Sequence, residues 1–180
     1  PFYNGKSPHA IASKRLEKQK LLGIVPPTAK LGMAGKFNPE GYGKTSAKRK
    51  DYIAECMAAY AAQIAIMDRG IGRILASLER HRLSDNTIVM FLSDNGATAE
   101  IPQNNKNKKT TLPTGPLGEV GCRDGYGPMW AAVSNTPYRQ YKIETFDGGL
   151  SAPFIIRYPS KIRPESRYHS PFLLQDIAPT

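Results

Sequence analysis

From about Ser46 to about Arg82, apolar residues return at alternating steps of four and three: Ile53, Met57, Tyr60, Ile64, Met67, Ile71, Ile74 and Leu78. That spacing predicts one long helix with a single buried stripe, used for packing. Gly70 and Gly72 lie inside it and are expected to mark a bend or a close contact, because each weakens a helix by about 1 kcal/mol relative to Ala. Leu83 to Asn86 read as a turn. TIVMFLS, 87 to 93, follows as a continuous apolar run rich in strand formers, the pattern of a strand buried on both faces of a parallel sheet. A second strand is expected in APFIIRYP, 152 to 159, behind the pair Gly148 and Gly149, and LLQDI near the end begins a further helix. Between the strands the pattern is lost. Residues 101 to 128 are dominated by Gly, Pro, Asn, Lys and Thr and read as a long flexible loop or insertion. Helix, buried strand, long loop and buried strand together predict an α/β layered fold without internal repeats.

Composition sets the scale. The chain has 180 residues, 40% of them hydrophobic, enough for one domain or a large part of one. Twenty-five Lys and Arg against 15 Asp and Glu give a net charge of +10, a balance that steers a protein toward anionic partners. The charge gathers in SKRLEKQK (13 to 20), KTSAKRK (44 to 50) and NNKNKK (104 to 109), which read as solvated faces or loops. Two cysteines, Cys56 and Cys122, are too few for a disulfide framework and lack metal-ligand spacing. No apolar run approaches the roughly 20 residues of a membrane span, and PFYNGKSPHA lacks the apolar core of a signal peptide. With no initiating Met and no closing element after DIAPT, the chain is expected to be a fragment.

The first predicted strand runs directly into a carboxylate, an amide and a glycine, FLSDNG, 91 to 96. Open α/β sheets bind ligands outside the carboxyl ends of their strands. Asp94 and Asn95 would stand there with two hard oxygen donors, which suit Ca²⁺ or Mg²⁺ better than Zn²⁺. Gly96 would let the backbone turn away sharply. Read alone, the same tripeptide is also an ordinary turn after a strand.

The wider context of this turn carries a resemblance. DRGIGRILASLERHRLSDNTIVMFLSDNG, followed by YGPMWAAVSNTPYRQYKIETFDGGLSAPFIIRYP and LLQDIAPT, resembles the sulfatase family of the alkaline phosphatase superfamily, and bacterial arylsulfatases in particular. RLEKQKLLGIVP, 15 to 26, is similar to the family's linker before its long helix. The resemblance implies an alkaline-phosphatase-like sandwich, a mostly parallel sheet with flanking helices, of which residues 1–180 would be a central to C-terminal part of the catalytic domain. It implies hydrolysis of sulfate esters by a formylglycine made from the Cys or Ser of a C-x-P-x-R motif, with a divalent cation, usually Ca²⁺. Asp94 and Asn95 match the family's metal-binding pair. Lys142 matches the lysine five residues before the acidic residue of an E-G-G motif, and would contact a sulfate oxygen or the leaving alcohol as a point charge. Asp147 stands where the family more often has Glu.

No C-x-P-x-R or S-x-P-x-R occurs in the sequence, so the nucleophile and the family's first metal aspartates are expected upstream. His9 in SPHAI reads as a loop residue, and His81 and His169 as surface residues. The loop from about 97 to 140, with Tyr126, Trp130 and Tyr138, is expected to line a pocket for an aryl or glycan sulfate. A periplasmic or secreted location is expected from the resemblance, with no membrane span. A phosphonate monoester or phosphodiester hydrolase of the same superfamily is the neighbouring alternative. A basic nucleic-acid or glycan-binding module is the more distant one, and nucleic acid is not an expected partner because the basic runs contain no aromatic residues to stack on bases.

Overall fold

The computed structural model describes residues 2–3, 5–32, 42–100, 116–120, 122 and 124–179. The runs NNKNKK and 101–115 of the expected loop lie outside the described residues. The fold is mixed, with helices α1 (Pro8–Leu21), α2 (Ala47–Arg80), α3 (Gly127–Ser134) and α4 (Asp147–Leu150), and strands β1 (Val89–Leu92) and β2 (Phe154–Arg157). Two compact units divide the chain, one of residues 1–68 with 95–151 and one of residues 69–94 with 152–180.

In the first unit, α1 starts where Ser7 Oγ accepts from Ala10 N at 3.1 Å and Pro8 occupies the first turn. Lys18 and Lys20 sit in its last turn, where the helix dipole favours cations. Pro8, Ala12 and Leu16, four residues apart, form its buried face, and the basic residues of 13 to 20 fall around that face on the solvent side. His9 therefore belongs to an exposed helix surface and not to a loop.

The centre of this unit is α3, GPMWAAVS, which the expectation of a loop through 128 and a pocket lining through 140 overlooked. Its Trp130 and Val133 are 0% exposed and Tyr126 just before it 8%, so Trp130 and Tyr126 are core residues and do not line a pocket; Tyr138 alone of the three is open to solvent. Eight residues bounded by Gly and Pro are too few for a period to declare itself, but Pro128 in the first turn is a recognisable start signal. Trp130 meets the Tyr3 ring edge-on at 5.4 Å, and Tyr126 meets Tyr60 of α2 at 4.7 Å. Arg15 donates to Ser134 O at 3.3 Å and Gln19 to Thr136 O at 2.8 Å, which ties α1 to the end of α3. Burial pushes the Tyr126 hydroxyl up to about 12, and burial followed by donation to Asp124 raises that of Tyr52.

Helix α2 forms over the expected span, but of its stripe only Met57 is buried, beside Ala54 and Cys56 near the N-terminal end, while Ile64, Met67 and Ile74 are exposed. Gly70 and Gly72 mark no close contact, because a Cβ at either would meet nothing within 4 Å.

In the second unit β1 and β2 pair antiparallel, with Val89 opposite Arg157 and Leu92 opposite Phe154. This antiparallel pair is the sheet that the described residues form, and the mostly parallel sheet expected around it is not among them. A continuous apolar run reports intended burial and carries no information about direction. The chain leaves the end of β1 and re-enters β2 at the same end, as antiparallel pairing requires. Phe91 is 39% and Ile155 60% exposed, so the expected burial on both faces is not met among the described residues. A two-stranded ribbon has nothing of its own to cover it. The expected last helix is a short 3₁₀ turn, Leu174–Ile177, whose Asp176 carboxylate accepts from Leu173 N at 2.8 Å.

Trp130 predicts the response of the first unit. Trp130→Ala is expected to cost about 3–5 kcal/mol in denaturant unfolding. Trp130→Phe should cost clearly less, because the buried Trp130 Nε1 has no partner among the described residues and losing that group sacrifices no hydrogen bond.

Candidate functional site

The turn that follows β1 and the loop that follows α3 are laced together within the first unit. Gly96 N donates to Gly149 O at 3.1 Å, and Lys142 N donates to Ala97 O at 3.0 Å. The contact is backbone against backbone: a Cβ on Gly96 would overlap the Gly148 carbonyl oxygen, and one on Gly148 the carbonyls of Arg139 and Gln140. Glycine at 96 and 148 is therefore required by space. The Gly-Gly pair also opens the single turn α4, where Gly148 N bonds to Arg139 O at 2.9 Å.

One side chain joins all three segments. Asn135, at the end of α3, accepts from Ala97 N through Oδ1 at 2.9 Å and donates through Nδ2 to Gln140 O at 2.9 Å and to Gly148 O at 2.8 Å. Sequence reasoning missed Asn135; the available signal was an Asn-x-Pro turn directly after a helix.

The loop carrying Lys142 is held in an unfavourable conformation. Gln140 has φ 65° and Ile143, β-branched and next to the lysine, has φ 83°. A non-glycine residue there costs about 1–3 kcal/mol and persists only when its surroundings impose it. Lys142 is half-buried, and no described side chain pairs with its ammonium. Tyr141 beside it is raised by burial and then by Glu144, which keeps the phenol neutral.

Asn95 is half-buried and donates from Nδ2 to Gly96 O at 2.8 Å, which orients the amide. Asp94, immediately before it, is exposed, and no described residue pairs with its carboxylate. A carboxylate and an amide oxygen are the hard donors that Ca²⁺ or Mg²⁺ prefers, so the pair fits such an ion. It is also incomplete. Calcium takes about six to eight oxygens, and among the described residues no three His, Cys, Asp or Glu side chains gather as a metal site.

The packing at Gly96 makes one expectation concrete. Gly96→Ala must push the turn away from Gly148, and it is expected to lower stability by about 1–3 kcal/mol in denaturant unfolding. The same substitution at exposed Gly72, where only helix propensity changes, is expected to raise it.

The Sulfatase family profile matches residues 16–180. An uncharacterized sulfatase of Schizosaccharomyces pombe is 30% identical over 188 residues, spanning 99% of this chain and 34% of the relative. An arylsulfatase of Klebsiella aerogenes is 33% identical over 175 residues, 93% of this chain and 37% of the relative, and a steryl-sulfatase of Rattus norvegicus is 33% identical over 122 residues, 68% and 17%. The chain thus spans about a third of the length of the first two. Because the profile covers residues 16–180, including the FLSDNG turn and the Gly-Gly loop that packs on it, the chain belongs to the sulfatase family, with its alkaline-phosphatase-like α/β fold.

Proposed function

We propose that this chain is part of the catalytic domain of a longer sulfuric ester hydrolase of arylsulfatase type, to which it contributes Asp94 and Asn95 as cation ligands and Lys142 as a sulfate-binding cation. The observation that carries the reading is the Lys142 N to Ala97 O hydrogen bond, 3.0 Å, which fastens the lysine loop to the turn that begins at Asn95. An amide oxygen for the cation, on Asn95, and an ammonium for the sulfate are thereby carried on segments joined by a backbone hydrogen bond.

Asp94 and Asn95 would hold the cation, Ca²⁺ in preference to Mg²⁺, and when bound it offsets charge on the sulfate and orients the nucleophile. The Lys142 ammonium, with no carboxylate paired to it among the described residues, binds a sulfate oxygen or steadies the leaving alcohol oxygen as charge develops. The nucleophile, a formylglycine by family resemblance, lies outside these 180 residues, which contain no C-x-P-x-R. The strand pair then joins a larger, mostly parallel sheet that covers its open faces. Substrates are aryl or glycan sulfates, drawn by the +10 charge. The location is periplasmic or secreted, and no described helix is long and apolar enough to cross a membrane. A nucleic-acid-binding role has no support beyond the net charge.

The test is turnover of 4-nitrophenyl sulfate by the longer protein. Chelation should abolish it and Ca²⁺ restore it, Asp94→Asn and Lys142→Ala should each cost about 10²–10³ in kcat, and the 180-residue chain alone should turn over nothing. Chelator-insensitive activity, Asp94→Asn at wild-type rate, or faster cleavage of phosphonate monoesters would overturn the reading.

A further inference from the structure

We propose that Asn135 is a positioning residue of the sulfatase site, setting the separation between the Asn95–Ala97 turn and the Lys142 loop by a hydrogen-bond pattern that only an uncharged amide satisfies; this rests on the function proposed above. Its side chain faces three backbone groups of two kinds. Ala97 N is a donor and is met by Oδ1; Gln140 O and Gly148 O are acceptors and are met by the two hydrogens of Nδ2. All three distances lie between 2.8 and 2.9 Å, in a half-buried setting where an unmet carbonyl is costly.

The three anchors are not equivalent. Ala97 is the residue whose carbonyl accepts from Lys142 N, so its amide and its carbonyl are held by Asn135 and by the lysine loop respectively. Gln140 and Gly148 bracket Lys142 and the residue held at φ 83°, Ile143. Both ends of this loop are thus fixed to a single amide, with the unfavourable backbone of Ile143 between them.

Charge chemistry follows from that pattern. A carboxylate in place of the amide still accepts from Ala97 N but turns a negative oxygen toward two carbonyls. A protonated carboxyl accepts from Ala97 N and donates to one of the two carbonyls, restoring two of the three bonds. The carboxyl of an Asp at 135 should therefore ionise above its usual range of about 4, and the bridge should be broken at neutral pH and partly remade in acid.

The experiment is Asn135→Asp in the longer protein. At neutral pH kcat for 4-nitrophenyl sulfate should fall on the order of 10²-fold with KM little changed, the size expected for a misplacement of about 1 Å. The ratio of variant to wild-type kcat should rise as pH falls through the carboxyl's ionisation. Asn135→Ala, which removes the bridge without adding charge, should show a comparable loss with no recovery in acid, and it carries the kcat test if the Asp variant does not fold. Amide exchange at Ala97 and Lys142, compared with wild type at each pH, should accelerate in Asn135→Asp and slow again in acid. A wild-type kcat for Asn135→Asp at neutral pH, or a loss independent of pH, would overturn the assignment. A wild-type protein without sulfatase activity would sink the proposed function instead, and the exchange comparison would still decide whether the amide bridge exists.

Discussion

Two glycine-rich segments can touch backbone to backbone only if the peptide groups brought into contact find partners, and here the requirement is met largely by one amide. Where Gly96 approaches Gly148, nothing larger than hydrogen fits between the chains. The approach places carbonyls near carbonyls, which is unfavourable until something donates between them. The Asn135 Nδ2 group supplies both donations on the loop side, and its Oδ1 closes the accounting at Ala97. Gly96 N to Gly149 O and Lys142 N to Ala97 O complete the lacing.

That arrangement depends on the core beneath it. Asn135 directly follows α3, which is anchored by Trp130 and Val133 and held by α1 through Arg15 and Gln19. A rigid helix end is a precise mount for a polar side chain, more so than a loop. The strain at Ile143 fits the same scheme, since an unfavourable φ next to a working residue needs surroundings stiff enough to enforce it.

Some of this was legible in the sequence. The long period of α2 and the apolar runs of β1 and β2 declared themselves, because burial imposes a repeat on any element that extends for several turns or alternations. Helix α3 did not, being eight residues long and apolar nearly all round. The direction of strand pairing and the open faces of the strands were also hidden, since an apolar run records what a strand is made to be buried by and not which neighbour does it. At the site, Asp94, Asn95 and Lys142 were proposed through motif resemblance. Asn135 was not, because its importance lies in three backbone groups, and backbone positions leave no residue-type signature. The pocket lining expected of Trp130 shows the opposite error: an aromatic residue in a Gly- and Pro-rich stretch reads as facing substrate when it is part of the core.

The most direct test of the account is a crystal structure of the longer protein with calcium and sulfate bound. The account predicts oxygens of Asp94 and Asn95 at about 2.3–2.6 Å from the ion, and the Lys142 Nζ within about 3 Å of a sulfate oxygen. An ion coordinated without either residue, or a sulfate held with Lys142 turned away from it, would contradict the central claim that this turn and this loop form one sulfate-ester site.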